Sequence, residues 1–316
     1  MAIPKYFKTL PTQTIPMKGR AILALVGLML SGTMASHPAS AHEFEQDSGA
    51  DLIAKIQEFK AENKLIASNI SNSSLAQWHM QKSQSYWGVN ETNLLGQKDP
   101  NLSGNLSSSM ADLYALVGKQ NVDTTTANQK ADLLNGLADQ VETEVVGSSS
   151  DSNATVQALA MVNVLNEVLR DYGDAIGSKV DLTNMDNMNA TSQSSMQGMS
   201  GMSGMTSSTI VGQAQYQSAE ALMGVVQDIF AKAQSYAPSN SSSYMLKAGL
   251  AVSDLKQEID SKASGMDVMT TVHMKIHPNL ISALGIEAVP EFPVPLMLVL
   301  VSIAAAVVVP RVFSRK

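Results

Sequence analysis

The chain has 316 residues, 44% of them apolar and 5% aromatic, with no cysteine and a formal net charge of −7. All 28 acidic residues lie between Glu43 and Glu291, while seven of the 21 Lys and Arg sit in the two terminal stretches, so the middle is strongly acidic. That middle repels nucleic acid and anionic lipid. The lack of cysteine excludes a disulfide framework, thiolate zinc sites, iron–sulfur clusters and a Cys nucleophile.

In chain order, Lys5, Lys8, Lys18 and Arg20 form a basic leader, followed by the apolar stretch 21–30 and the small-residue site Ala39-Ser40-Ala41. This three-part pattern predicts a signal peptide over 1–41. Its ten apolar residues fall short of the roughly 20 that a spanning helix needs. Cleavage by signal peptidase after Ala41 would leave His42 first, offering its amino nitrogen and imidazole together to a copper ion.

From 42 to 180 the apolar spacing is helical. Leu52, Ile53, Ile56, Phe59, Leu65, Ile66 and Ile70 form one stripe, with Ser48-Gly-Ala-Asp51 as its capping box. A second helix carries Leu75, Trp78 and Met80 and ends near Trp87-Gly88. A third is expected over 103–117. A fourth is marked by Leu133, Leu134, Leu137, Val141 and Val145. A fifth, on Leu159, Val162, Leu165, Leu169 and Tyr172, is expected to stop at Gly173.

The segment 181–209 is dominated by Asn, Ser, Gly and Met, which predicts a flexible loop. Helices follow over 210–236, 243–261 and 268–284 within a second helical part, 210–286. The expected fold is an all-α helical bundle.

The C-terminal stretch 287–316 holds Pro290-Glu291-Phe292-Pro293, the uncharged run 296–309, and a basic close of Arg311, Arg315 and Lys316. This predicts a short transmembrane helix with its basic end in the cytoplasm. The order resembles the PEF-type sorting signal of archaeal surface proteins, with Pro293 where many relatives carry Gly. The resemblance implies processing by an archaeosortase and attachment of the cut end to a lipid or another surface carrier. Either way the chain is expected at the cell surface, held to the membrane by its C-terminus. Asn-x-Ser/Thr triplets at Asn69, Asn72, Asn90, Asn101, Asn105, Asn153, Asn189 and Asn240 are candidate glycan acceptors or helix caps.

Two segments flanking the loop, 164–176 with Asp171-Tyr172 and 215–230 opening Gln215-Tyr216-Gln217-Ser218-Ala219, are similar to the helical extracytoplasmic domains associated with high-affinity iron permeases. Lys98-Asp99-Pro100-Asn101-Leu102 with Leu113 resembles a further element of that group. Gln215 replaces the usual Glu, and the paired-glutamate permease part is absent. The resemblance implies a metal-associated surface module, not transport.

Six of the 19 methionines, Met185, Met188, Met196, Met199, Met202 and Met205, occupy one short stretch, the last four at three-residue spacing among Gly and Ser. Thioether sulfur is a soft ligand suited to Cu(I), and the stretch is similar to the Met-rich loops of copper-resistance proteins and multicopper oxidases. A low-complexity spacer or an oxidant trap is the competing reading. His273 and His277 stand four apart, so on a helix they share a face that could clamp a metal. Pro278 disfavours continuing that helix, so a solvated or capping role competes. Copper is thus the expected ion and iron the second, with surface metal-uptake or redox proteins as exchange partners. No nucleophile elbow, phosphate-binding Gly loop or His-Glu-x-x-His appears, so no enzyme is expected. The alternative function is a structural or interaction module of the cell envelope.

Overall fold

A computed structural model describes residues 43, 44, 46–184, 207–286, 288 and 289. The leader, the methionines from Met185 to Met205, His42, the Pro290 to Pro293 motif and the C-terminal apolar run lie outside the described residues.

Among the described residues the architecture is helical but for one short ladder. The helices are α1 (Ser48–Ser68), α2 (Ser73–Tyr86), α3 (Val89–Lys98), α4 (Pro100–Tyr114), α5 (Thr124–Val141), α6 (Ser148–Asp151), α7 (Ala154–Ala175), α8 (Gln213–Tyr236), α9 (Ser242–Asp260), α10 (Gly265–Thr270) and α11 (His277–Leu284). One two-residue antiparallel ladder pairs β1 (Glu43–Phe44) with β2 (Ala288–Val289), bringing the two ends of the domain side by side. Among the described residues no helix is long and apolar enough to cross a membrane.

Short polar side chains start the helices by accepting the first orphan amides. Asp47 Oδ1 accepts from the Ala50 amide at 2.8 Å, so the cap of α1 is Asp47 and not the box expected at Ser48. Asn72, Asp99, Asp123 and Asn153 play the same role for α2, α4, α5 and α7. Asp99, with Pro100 in the first turn, separates α4 from α3, a helix not expected from the sequence. Gly173 does not stop α7, which runs on to Ala175 and gives way at Gly177, where φ is +65°. A Cβ on Gly173 would lie 3.3 Å from Leu182 Cγ, so the bare position lets 178–182 fold back onto the helix.

Burial divides into two hydrophobic clusters that share α1. In one, Ile53, Ala54 and Ala61 pack with α7, α8, α9 and the C-terminal helices. In the other, Ile56, Phe59 and Ile66 pack with α2 to α5. The face of α5 that packs is Ala127, Ala131, Leu134, Ala138 and Val141, while Leu133 is 61% exposed. The α7–α8 pair is the most extensive. Tyr172 and Tyr216 donate their hydroxyls to the Ala263 and Ile259 carbonyls at 2.6 and 3.1 Å, satisfying acceptors at and just beyond the C-terminal end of α9.

Candidate functional site

The two histidines singled out by spacing meet. His273 and His277 are both buried, their rings edge-to-face at 5.2 Å, and Phe44 packs edge-on against His277 at 5.0 Å. Neither is solvated, which corrects the solvated role read from Pro278. The reason lies in the backbone. Thr271–Ile276 is a π-helical turn in which the His277 amide donates to the Val272 carbonyl, five residues back. This widened turn lets Pro278 fall in the first turn of α11, where its missing N–H costs nothing. His273 Nε2 faces the Leu182 carbonyl at 3.1 Å, so Nε2 carries the hydrogen and, in the neutral ring, the lone pair is on Nδ1.

That contact also holds the described chain that precedes Met185. Leu182, expected in the free loop, is buried at 4% exposure. On the return, the Ser208 amide donates to the Lys262 carbonyl at 2.6 Å and its hydroxyl to the Ala263 carbonyl at 3.1 Å. Leu182 and Ser208, which flank the methionine stretch in the chain, are therefore both held by the fold.

A second site was not singled out from sequence. Between the two hydrophobic clusters, α1, α2, α7 and α8 enclose a polar seam. His79 Nδ1 lies 2.7 Å from Glu62 Oε2, and both side chains are fully buried. The Ser218 hydroxyl lies 2.5 Å from Glu62 Oε1 and 2.6 Å from Asp171 Oδ2. Asp171 Oδ1 accepts from Lys82 Nζ at 2.7 Å, and Lys82 also pairs with Glu167. Glu167 accepts from the Tyr86 hydroxyl at 3.1 Å and pairs with Arg170 at the rim. Glu58, 6% exposed and one turn before Glu62, faces the same charges.

Burial sets the electrostatics. It lifts the Asp171 carboxyl to about 6, although Lys82 pulls the other way. It pushes Glu58 well above the carboxylate range, helped by the charge of Glu167. Burial would also raise Glu167, but the Lys82 ammonium holds it below its ordinary value. Lys82, which burial alone would discharge, stays above its ordinary value through Asp171 and Glu167.

The seam is thus neutralised from within, with Lys82 seated where a bound cation would sit. Among the described residues no three His, Cys, Asp or Glu side chains group closely enough to hold a metal ion. A separate polar relay is fully satisfied: Tyr114 donates to Ser83, Ser83 to Asn63, Asn63 to Asn135 and Asn135 to the Lys60 carbonyl. Its role is to align α1, α2, α4 and α5.

Compared with protein-family models, with curated proteins and with solved structures, the chain matches none. The described residues define an all-helical domain with a buried ionisable seam and a buried histidine pair.

Proposed function

We propose that this is an exported, surface-held protein that captures metal ions, with Cu(I) taken by the thioethers of Met185, Met188, Met196, Met199, Met202 and Met205. The observation that carries this reading is the hydrogen bond from His273 Nε2 to the Leu182 carbonyl. Leu182, held against His273, precedes Met185 by three residues in the chain. Thioethers need no deprotonation, and a Gly- and Ser-rich chain can wrap three or four around one soft ion. Iron is the second candidate, by resemblance to the permease-associated domains. The leader, the Pro290-Glu291-Phe292-Pro293 motif and the apolar run 296–309 support export by signal peptidase, processing by an archaeosortase and a C-terminal anchor. In this reading exchange partners are other surface metal-uptake or redox proteins, and His42 adds a copper ligand only if cleavage falls before it.

The test is a Cu(I) titration against a competing chelator. Replacing Met196, Met199, Met202 and Met205 by Leu should weaken binding at least tenfold, and unchanged affinity would refute the loop as the site. A second reading, a non-catalytic envelope module with the segment as spacer, is favoured by one observation. Lys82 already fills the cation position of the acidic seam, so the described part has its own internal neutralisation.

A further inference from the structure

Hydrogen-bond arithmetic across the seam counts its protons. A hydroxyl carries one hydrogen, yet Ser218 Oγ sits 2.5 Å from one carboxylate oxygen and 2.6 Å from another. It can donate to only one of them. The other contact therefore requires a carboxyl O–H that donates to Ser218.

The opposite end is fixed by a relay of amides. Asn69 Nδ2 donates to the Leu65 carbonyl at 2.9 Å, which turns its Oδ1 toward Gln217. Gln217 Nε2 donates to that oxygen at 3.3 Å, so Gln217 Oε1 faces His79 Nε2 at 3.1 Å. His79 Nε2 must then bear a hydrogen. With Nε2 occupied, the 2.7 Å contact between His79 Nδ1 and Glu62 Oε2 needs a further proton, on the ring or on the carboxyl. From His79 through Glu62 and Ser218 to Asp171, three contacts need three hydrogens, and Ser218 supplies one.

We propose that this seam is a proton site: His79, Glu62, Ser218 and Asp171 together hold two exchangeable protons, and losing the one shared through Ser218 loosens the start of α8 from α1 and α7. Two carboxylates, one imidazole and two protons sum to zero charge, which is what full burial demands. The groups facing the chain fit. On α2, Lys82 balances Glu167 of α7, while Arg170 at the rim is half-exposed. On α1, Glu58 is buried with a strongly raised affinity for its proton, and on α2 Tyr86 stays neutral. From α8 come only Gln217 and Ser218, which are uncharged. Once the shared proton leaves, Glu62 and Asp171 face each other as anions across one hydroxyl. Ser218 lies in the first two turns of α8, so these turns lose their polar tie to α1 and α7.

The sign of the response follows from Asp171. A carboxyl whose folded-state value is raised stabilises the closed form at low pH and loses that contribution as pH climbs from its ordinary value of 3.8 to about 6. Over that interval the opening constant of the α8 start should rise about 100-fold, tenfold for each pH unit.

The test is hydrogen exchange of the amides over 213–222 in the full chain between pH 4 and 8, corrected for intrinsic rates, for wild type and Asp171→Asn. Asn keeps both contacts, donating to Ser218 and accepting from Lys82, but cannot release the proton. Wild type should show the rise and then level above about pH 6. The variant should lack it. An identical profile in both overturns the proposal. Independently of any variant, the infrared difference between pH 5 and pH 7 for wild type in D2O, which cancels the proton-retaining Glu58, should show a protonated side-chain carboxyl band that is lost at the higher pH. Absence of that band likewise overturns it.

Discussion

Removing Lys82 tests whether the seam is held by charge. Lys82→Met keeps the stem that packs beside Trp78 and Tyr86 but deletes the ammonium, leaving Glu167 buried with 11% of its side chain exposed. Glu167 then keeps only the half-exposed Arg170 as a cation, and escape by taking a proton caps the penalty on Glu167 itself. From an ordinary value of 4.5, protonation at pH 7 spans 2.5 units. At about 1.36 kcal/mol per unit the loss is about 3 kcal/mol, within the range of about 3–5 kcal/mol for breaking a buried pair. At pH 5 the same escape spans half a unit, or about 0.7 kcal/mol. The sign follows because Lys82 holds Glu167 below its ordinary value, a contribution present at neutral pH and lost in acid. Urea unfolding of both proteins at pH 5 and pH 7 reads the difference directly. A loss under about 1 kcal/mol at pH 7, or an equal loss at both, would refute the reasoning.

Two further outcomes follow from packing. A Cβ on Gly249 would lie 2.9 Å from Phe230 Cε1 where α9 crosses α8. Gly249→Ala should therefore lose stability, an overpacking cost of about 2 kcal/mol exceeding the about 1 kcal/mol gained in helix propensity; a raised Tm would contradict it. Among the sequons, Asn69 is 9% exposed and its amide is bonded to Leu65 and Gln217, whereas Asn90, Asn101 and Asn105 are exposed. Glycopeptide mass spectrometry should find any glycans at the exposed sites and none at Asn69.

Helices with large apolar residues on one face were legible. The stripe from Ile53 to Ile66 became α1, and 210–236 became α8 within three residues. What escaped was written in small or polar residues. The buried face of α5 is largely alanine, so Leu133 drew attention to the wrong side. In α3 only Leu95 is buried, too little apolar spacing to mark a helix. The seam left a trace that went unread: Glu62 falls between Phe59 and Ile66 in the buried phase of α1, and both Glu58–Glu62 and Glu167–Asp171 are spaced four apart. Acids at such positions read as solvated faces until a partner helix covers them. The pairing of Ser218 with residues 47 and 156 positions away has no local signature. The histidine pair was found by spacing, but its burial depended on a π-turn that no motif announces.

The most direct test of metal capture is the copper content of the purified protein loaded with Cu(I), beside the same protein lacking 185–206. Capture by the methionine segment predicts bound copper in the first and its loss in the second, with folding unchanged. Equal copper in both, or none in either, would contradict it.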